Sequence, residues 1–313
     1  MEVVKNNRKV SLPDAIIVGA AKAGTTSLFN YLTQHPQVFS PRLKEPWFFS
    51  YKDNDPAFTI PHSGKLNSKE IIFEEDKYLD LYNDTKQYII DGSTSYLYTA
   101  ETTIKNIKDI YGDKFDRLKI VIVLRNPIER AWSHYMMHIR DNRTKMTFKE
   151  SIKDSVINDR LLNGATIGYD YVGFGMYCHQ VKLFMQTFSN VKILLYDDFS
   201  DNAIDILNQL TAFFELDNYK FTIRDRYNVS GEPKNKFYNM ISSIATQEGL
   251  LKKSIKKILP AYIVFRFTQF LKTILYKKVK LMENDKKRLI QIYKEDVINL
   301  EKMIDIDIQH WLK

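Results

Sequence analysis

Residues 14–35, Asp-Ala-Ile-Ile-Val-Gly-Ala-Ala-Lys-Ala-Gly-Thr-Thr-Ser-Leu-Phe-Asn-Tyr-Leu-Thr-Gln-His, constrain this chain more than any other stretch. Ala15 to Val18 form an apolar run short enough for a buried parallel strand. Gly19 and Gly24 let the backbone turn without a Cβ penalty. Thr25, Thr26 and Ser27 open a helix whose apolar stripe is Leu28, Phe29 and Leu32, and Pro36 predicts its end at His35. Strand, tight loop and helix N-terminus together make a row of backbone N–H groups, with Lys22 inside the loop: a cradle for a phosphate-like anion.

The loop departs from the nucleotide-triphosphate pattern G-x-x-x-x-G-K-[ST]. Gly19 and Gly24 have its spacing, but Thr25 follows Gly24, and the single Lys lies two residues before that glycine. The cation therefore approaches the anion from within the loop.

Further strands carry the pattern forward. Tyr88 to Asp91 read as a short buried strand, followed by the polar turn Gly92-Ser93-Thr94-Ser95-Tyr96. Ligands of open parallel sheets bind at the carboxyl ends of strands, which makes Ser93 and Tyr96 candidates for contacting substrate. Lys119 to Leu124 is the clearest strand; Arg125-Asn126-Pro127 ends it and Pro127 to Arg140 starts a helix with Pro in its first turn. A nucleotide triphosphatase often places a Mg-binding Asp at such a strand end. Here stands Arg125, whose fork suits a dianionic phosphate, with Ser133 two turns into the helix. Val191 to Tyr196 is another strand and Asp198 to Phe214 an amphipathic helix. Repeated strand-helix units predict an α/β fold, a P-loop-like, doubly wound central parallel sheet flanked by helices, in a single domain spanning residues 1–313.

Between the cradle and the second strand lies Pro41-Arg42-Leu43-Lys44-Glu45-Pro46-Trp47-Phe48-Phe49, which should run extended beside the loop. Lys44 and Trp47 are candidate substrate contacts. Pattern alone leaves Glu45 open between a surface carboxylate and a base in a partly desolvated pocket. Residues 51–86 read as a lid or insertion, with a helix near Ser68 to Tyr82. Tyr227 to Lys236 is a turn-rich basic loop in which Lys234 and Lys236, around Asn235, could bracket an anion.

Charge narrows the partners. The 313 residues carry a net charge of +8, but Leu250 to Leu281 holds nine Lys or Arg and no acid, leaving 37 basic against 38 acidic residues elsewhere. The excess is local, so the chain is not read as a nucleic-acid binder. Ile263, Phe267, Phe270, Leu271, Ile274 and Leu275 of that segment share a helical face. It reads either as a helix packed on the core or as a surface helix on anionic lipid. One cysteine, Cys178, excludes an internal disulfide. The stretch 1–12 is a polar tail with no apolar h-region, and no apolar run reaches membrane-spanning length, so the expected location is cytoplasmic, or peripheral to the inner face of the membrane.

Three motifs, the loop Gly19 to Ser27, Arg-Asn-Pro-x-x-Arg-x-x-Ser from Arg125 to Ser133, and Asn-Val-Ser-Gly-x-Pro-Lys from Asn228, resemble the PAPS-dependent sulfotransferases, and within them the bacterial and heparan-sulfate-type carbohydrate branch. The likeness runs to the Leu-Glu…Trp-Leu ending at Leu300, Glu301, Trp311 and Leu312. It implies that Lys22, Ala23, Gly24, Thr25, Thr26 and Ser27 cradle the 5′-phosphosulfate of PAPS. It implies further that Arg125 and Ser133 clamp the 3′-phosphate, that Lys234, Asn235 and Lys236 form a second wall, and that Glu45 is the general base of a Glu-x-x-Phe-Phe motif. The implied reaction moves a sulfuryl group from PAPS, without a metal, to a hydroxyl or amine of a carbohydrate or glycolipid, with Lys22 stabilising the bridging oxygen. The resembling enzymes that act on heparan sulfate carry a Lys where Gly92 stands here. Two other classes remain open from the residues: a P-loop kinase of a small hydroxylated substrate using ATP and Mg²⁺, and a non-catalytic protein that binds membrane or polyanion.

Overall fold

Five parallel strands form the centre of the molecule, seen in a computed structural model that describes residues 1–5, 8–41, 43–60, 64–65, 71–82, 87–223, 232–233, 276–277 and 279–313. They are β1 (Ala15–Gly19), β2 (Val38–Phe39), β3 (Tyr88–Gly92), β4 (Lys119–Leu124) and β5 (Asn190–Leu195), in the spatial order β2-β3-β1-β4-β5. Every residue of β1 is buried, as are five of the six of β4, because helices cover both faces of the sheet. Ile16 pairs with Asp91 on one side and Ile120 on the other, and β4 runs in register with β5 from Lys119–Asn190 to Leu124–Leu195. The chain leaves β1 toward β2 and leaves β4 toward β5. The crevice between β1 and β4 is therefore the point where the winding reverses, the place where ligands of such sheets bind.

The helices that flank the crevice start for local reasons. Helix α1 (Thr25–Leu32) follows the left-handed Gly24 (φ 79°), where a Cβ would also press to 3.0 Å from the Tyr196 ring. Its end comes three residues before the predicted His35. Gln34 and His35 donate to the carbonyls of Tyr31 and Leu32, so the last turn tightens ahead of Pro36. Helix α2 (Phe48–Tyr51) is a single turn. Helix α3 spans Ala100–Tyr111. Helix α4 (Pro127–Arg140) matches its predicted span. Asn126 caps it, accepting from Ile128 N at 3.0 Å and Glu129 N at 3.4 Å, with Pro127 in its first turn.

Elsewhere the structure differs from expectation. The predicted helix from Asp198 to Phe214 is two, Tyr196–Asp201 and Ala203–Phe213. Asn202 leaves the helical conformation and its side chain caps the second at Asp205 N. The polar stretch 1–12 is not a free tail: Glu2–Lys5 and Arg8–Ser11 pair as a hairpin that buries Val3. In the insertion, the helical turn runs Glu75–Leu79. The turn-rich loop with Lys234, Asn235 and Lys236 lies outside the described residues, as does 250–281 apart from 276–277 and 279–281. No helix among the described residues is long and apolar enough to cross a membrane.

Candidate active site

The loop expected to cradle an anion joins β1 to α1 where the sequence places it. Lys22, at φ 70°, and Gly24, at φ 79°, both take left-handed backbone on either side of Ala23. This turns the loop around the start of α1, a helix with no side-chain cap on its first N–H groups. Those donors and the positive end of the helix suit an anion. The Lys22 ammonium reaches Met137 Sδ on α4 at 3.5 Å. Burial, then the Arg140 guanidinium and more weakly Arg125, push its pKa down to about 8; Asp141 and Glu45 pull the other way.

Arg125 ties the end of β4 to the cradle. Its guanidinium donates to the Lys22 carbonyl at 3.1 Å and to Glu129 at 2.9 Å, and stacks on the Tyr196 ring at 4.5 Å. Its Nε is buried with no partner among the described residues. Ser133, nearly buried, is one helical turn before Met137 on α4. That spacing puts the serine on the stripe of the helix that faces the loop.

The acid-bearing segment folds back on the same cleft. Glu45 and Trp47, flanking Pro46, both have left-handed backbone (φ 61° and 60°). Such geometry costs roughly 1–2 kcal/mol for each residue with a Cβ and collects at working sites. Here it bends the segment until the Trp47 indole N–H donates back to Glu45 Oε2 at 3.4 Å. Thr94 Oγ1 donates to the same oxygen at 3.3 Å, and Lys44 Nζ reaches Oε1 at 3.4 Å. Lys44 also donates to Thr26 Oγ1 at 2.7 Å, and burial holds its pKa below the usual lysine value. Ile17, Thr25, Phe29, Lys44, Glu45, Gly92 and Thr94 line one cleft, so the base candidate and the cradle open on the same space.

Of the two turn residues expected at substrate, neither faces the cleft. Tyr96 is fully buried and its hydroxyl donates to Asp91 at 3.3 Å. Asp91 also accepts from Tyr78 at 3.0 Å and from Gly92 N at 2.6 Å, and burial lifts its pKa to about 6 against those hydrogen bonds. A buried carboxylate needs such donors, and it draws the tyrosine inward. Ser93 is buried as well, its hydroxyl accepting from Trp47 N at 3.1 Å. It shapes the Glu45–Trp47 bend. Thr94, between them, is the turn residue that reaches Glu45, and sequence reasoning passed over it. Met137 was also missed, although its spacing of four from Ser133 places both on one helix face. His134 turns away from the cleft, is buried and takes a hydrogen bond from Arg130 at 3.2 Å on Nδ1. Burial drives its pKa well down.

An uncapped helix start with a loop lysine, a strand-end arginine bound to that loop, and a carboxylate across the cleft are the parts that known proteins can be asked to match. A model described as "Sulfotransferase family" matches residues 13–220, which contain all of these elements. The chain belongs to the sulfotransferase family. The crystal structure of a sulfotransferase from Alicyclobacillus acidocaldarius superposes with a TM-score of 0.70 at 25% identity, covering 97% of this chain and 100% of that one. The bifunctional heparan sulfate N-deacetylase/N-sulfotransferase 1 of Caenorhabditis elegans is 23% identical over 72% of this chain. The membrane-associated sulfotransferase kil1 of Dictyostelium discoideum is 33% identical over 41%, and carbohydrate sulfotransferase 15 of Rattus norvegicus 25% identical over 49%. The matched stretches are 24%, 24% and 32% of these three relatives' own lengths.

Proposed function

We propose that this sulfotransferase, acting as one domain, uses PAPS as its donor and a carbohydrate or glycolipid as its acceptor. The observation that carries the reading is the Arg125 bridge to the Lys22 carbonyl, which joins two anion-binding elements at the reversal point of the sheet. PAPS offers two anionic ends, a 5′-phosphosulfate and a 3′-phosphate, and supplies an activated sulfuryl group. The residues fit it: the uncapped start of α1 with Ala23, Gly24, Thr25, Thr26 and Ser27 for the first end, and Arg125 with Ser133 for the second. The buried Nε of Arg125, without a partner among the described residues, adds one more donor there.

In this reading Glu45 takes the proton from an acceptor hydroxyl or amine, whose oxygen or nitrogen bonds to sulfur. The bond from sulfur to the phosphate oxygen breaks, and Lys22 meets the charge left on that oxygen as PAP departs. A sulfuryl group carries less negative charge than a phosphoryl group, so one ammonium and the loop N–H groups can supply the stabilisation. Thr94 and the Trp47 indole hold one oxygen of Glu45, fixing the direction of the base. A glycan acceptor draws support from relatives named for heparan sulfate and carbohydrate sulfotransfer.

Titration calorimetry tests the donor. PAP should bind, ADP with Mg²⁺ should not, and the reverse would make the chain a kinase-like protein. Arg125→Ala should weaken PAP by more than adenosine 5′-monophosphate, which lacks the 3′-phosphate; equal losses would remove Arg125 from that end. The pH dependence has a definite sign. Lys22, with a pKa of about 8, is charged below that pH, and an anion favours its charged form. PAP affinity should therefore fall as pH rises through 8, by up to about tenfold per unit, with proton uptake on binding in that range. Affinity flat from pH 7 to 9.5 would take Lys22 out of the binding site.

A further inference from the structure

Two lysines border the start of α1, Lys22 two residues before Gly24 and Lys44 against Thr26, and neither ammonium has a carboxylate as its shortest contact among the described residues. Lys22 reaches a thioether at 3.5 Å. Lys44 reaches the neutral Thr26 hydroxyl at 2.7 Å, with the Glu45 carboxylate standing off at 3.4 Å and the Phe29 ring 5.8 Å below. The Lys44 side chain is only 22% exposed, and the helix end its ammonium touches carries positive partial charge. A cation held against the positive end of a helix, away from bulk water, is repelled rather than stabilised. The same helix start also carries the N–H groups that no side chain caps. Thr25 and Lys44 line the cleft that Glu45 also lines, so the helix end and the Lys44 ammonium share one positive corner of it.

We propose that Lys44 belongs to the donor's site, as a second cation beside Lys22, and is shared between the donor's 5′ anion and the base Glu45. This rests on the PAPS reading and moves Lys44 from the acceptor side, where the sequence suggested it, to the donor side. Lys44 is divided between Thr26 Oγ1 and Glu45 Oε1. An anion on the first turn of α1 competes for the ammonium directly, since Thr26 is part of that turn. Lys44 then turns to the anion and Glu45 Oε1 is released to accept a proton, while Oε2 stays held by Thr94 and Trp47. Donor occupancy thereby readies the base before the acceptor is engaged.

Calorimetry with PAP on the wild type, Lys44→Met, Lys44→Arg, Thr26→Ala and the Lys44→Met/Thr26→Ala pair tests this, with melting curves to confirm that each variant folds. Lys44→Met should weaken PAP roughly tenfold or more, the scale of one charge-assisted hydrogen bond, and Lys44→Arg should recover most of it. The effects of Lys44→Met and Thr26→Ala should be non-additive. In turnover, KM for PAPS should rise in Lys44→Met while KM for the acceptor stays put. Wild-type binding of PAP with equal binding by Lys44→Met would overturn the assignment of Lys44 alone. A raised acceptor KM at unchanged PAP affinity would return Lys44 to the acceptor side and overturn it too. Failure of the wild type to bind PAP would instead bring down the donor reading on which this rests.

Discussion

Glu45→Gln should lower the sulfotransfer rate by about 10²–10⁴-fold, the usual contribution of a general base. PAP affinity should stay near that of the wild type. The substitution keeps the shape of the side chain, with Oε1 left to accept from Lys44 and the amide able to donate to Thr94 Oγ1, and gives up only the long Trp47 indole contact. It removes the one carboxylate among the described residues that line the cleft. The cost corresponds to roughly 3–5.5 kcal/mol of barrier. Stopped turnover with intact PAP binding, read by calorimetry, is the expected pair of results. Loss of PAP binding together with turnover would make Glu45 a structural residue of the Lys44–Thr26 corner.

Lys22→Ala should cost about 10²–10³-fold in kcat, the range found when a preorganised donor to a developing oxyanion is removed. It should also weaken PAP, because the same ammonium serves the bound anion. The rate loss should exceed the affinity loss, since charge on the bridging oxygen grows in the transition state. The pH dependence offers a second handle. The wild-type fall in PAP affinity through pH 8 should shrink in Lys22→Ala, as the loop's only lysine is gone. An unchanged rate in Lys22→Ala would displace the transfer centre from the cradle altogether.

The strands and the helix starts were legible because each had a local cause. Short apolar runs at 15–18 and 120–124, bounded by turn residues and rich in β-branched side chains, suit buried parallel strands, and Asn126-Pro127 marks a helix start by capping and by a preset φ. Thus Arg125 could be placed at a strand end before any coordinates. What was not legible depends on contacts between distant residues. Tyr96 looked like a cleft residue until Asp91, buried beneath it, took its hydroxyl. Asn202 could continue a helix or cap the next one, and packing chose the second. The pairing of Lys44 with Thr26 spans 18 residues and depends on the left-handed bend at Glu45, which no local rule predicts for a residue with a Cβ. Glu45 shows the same division. Its motif pointed to a base, whereas its neighbours Thr94 and the Trp47 indole came only from the folded cleft.

The central claim, that the cradle holds a phosphosulfate and passes its sulfuryl group to a sugar, is tested most directly by labelled PAPS. The protein is incubated with [³⁵S]PAPS, a metal chelator and a panel of glycans and glycolipids, and label in the acceptor fraction is counted. The account predicts label in at least one carbohydrate acceptor, with stoichiometric release of PAP and none with Glu45→Gln. Transfer of label from γ-labelled ATP in the presence of Mg²⁺, with none from PAPS, would contradict it.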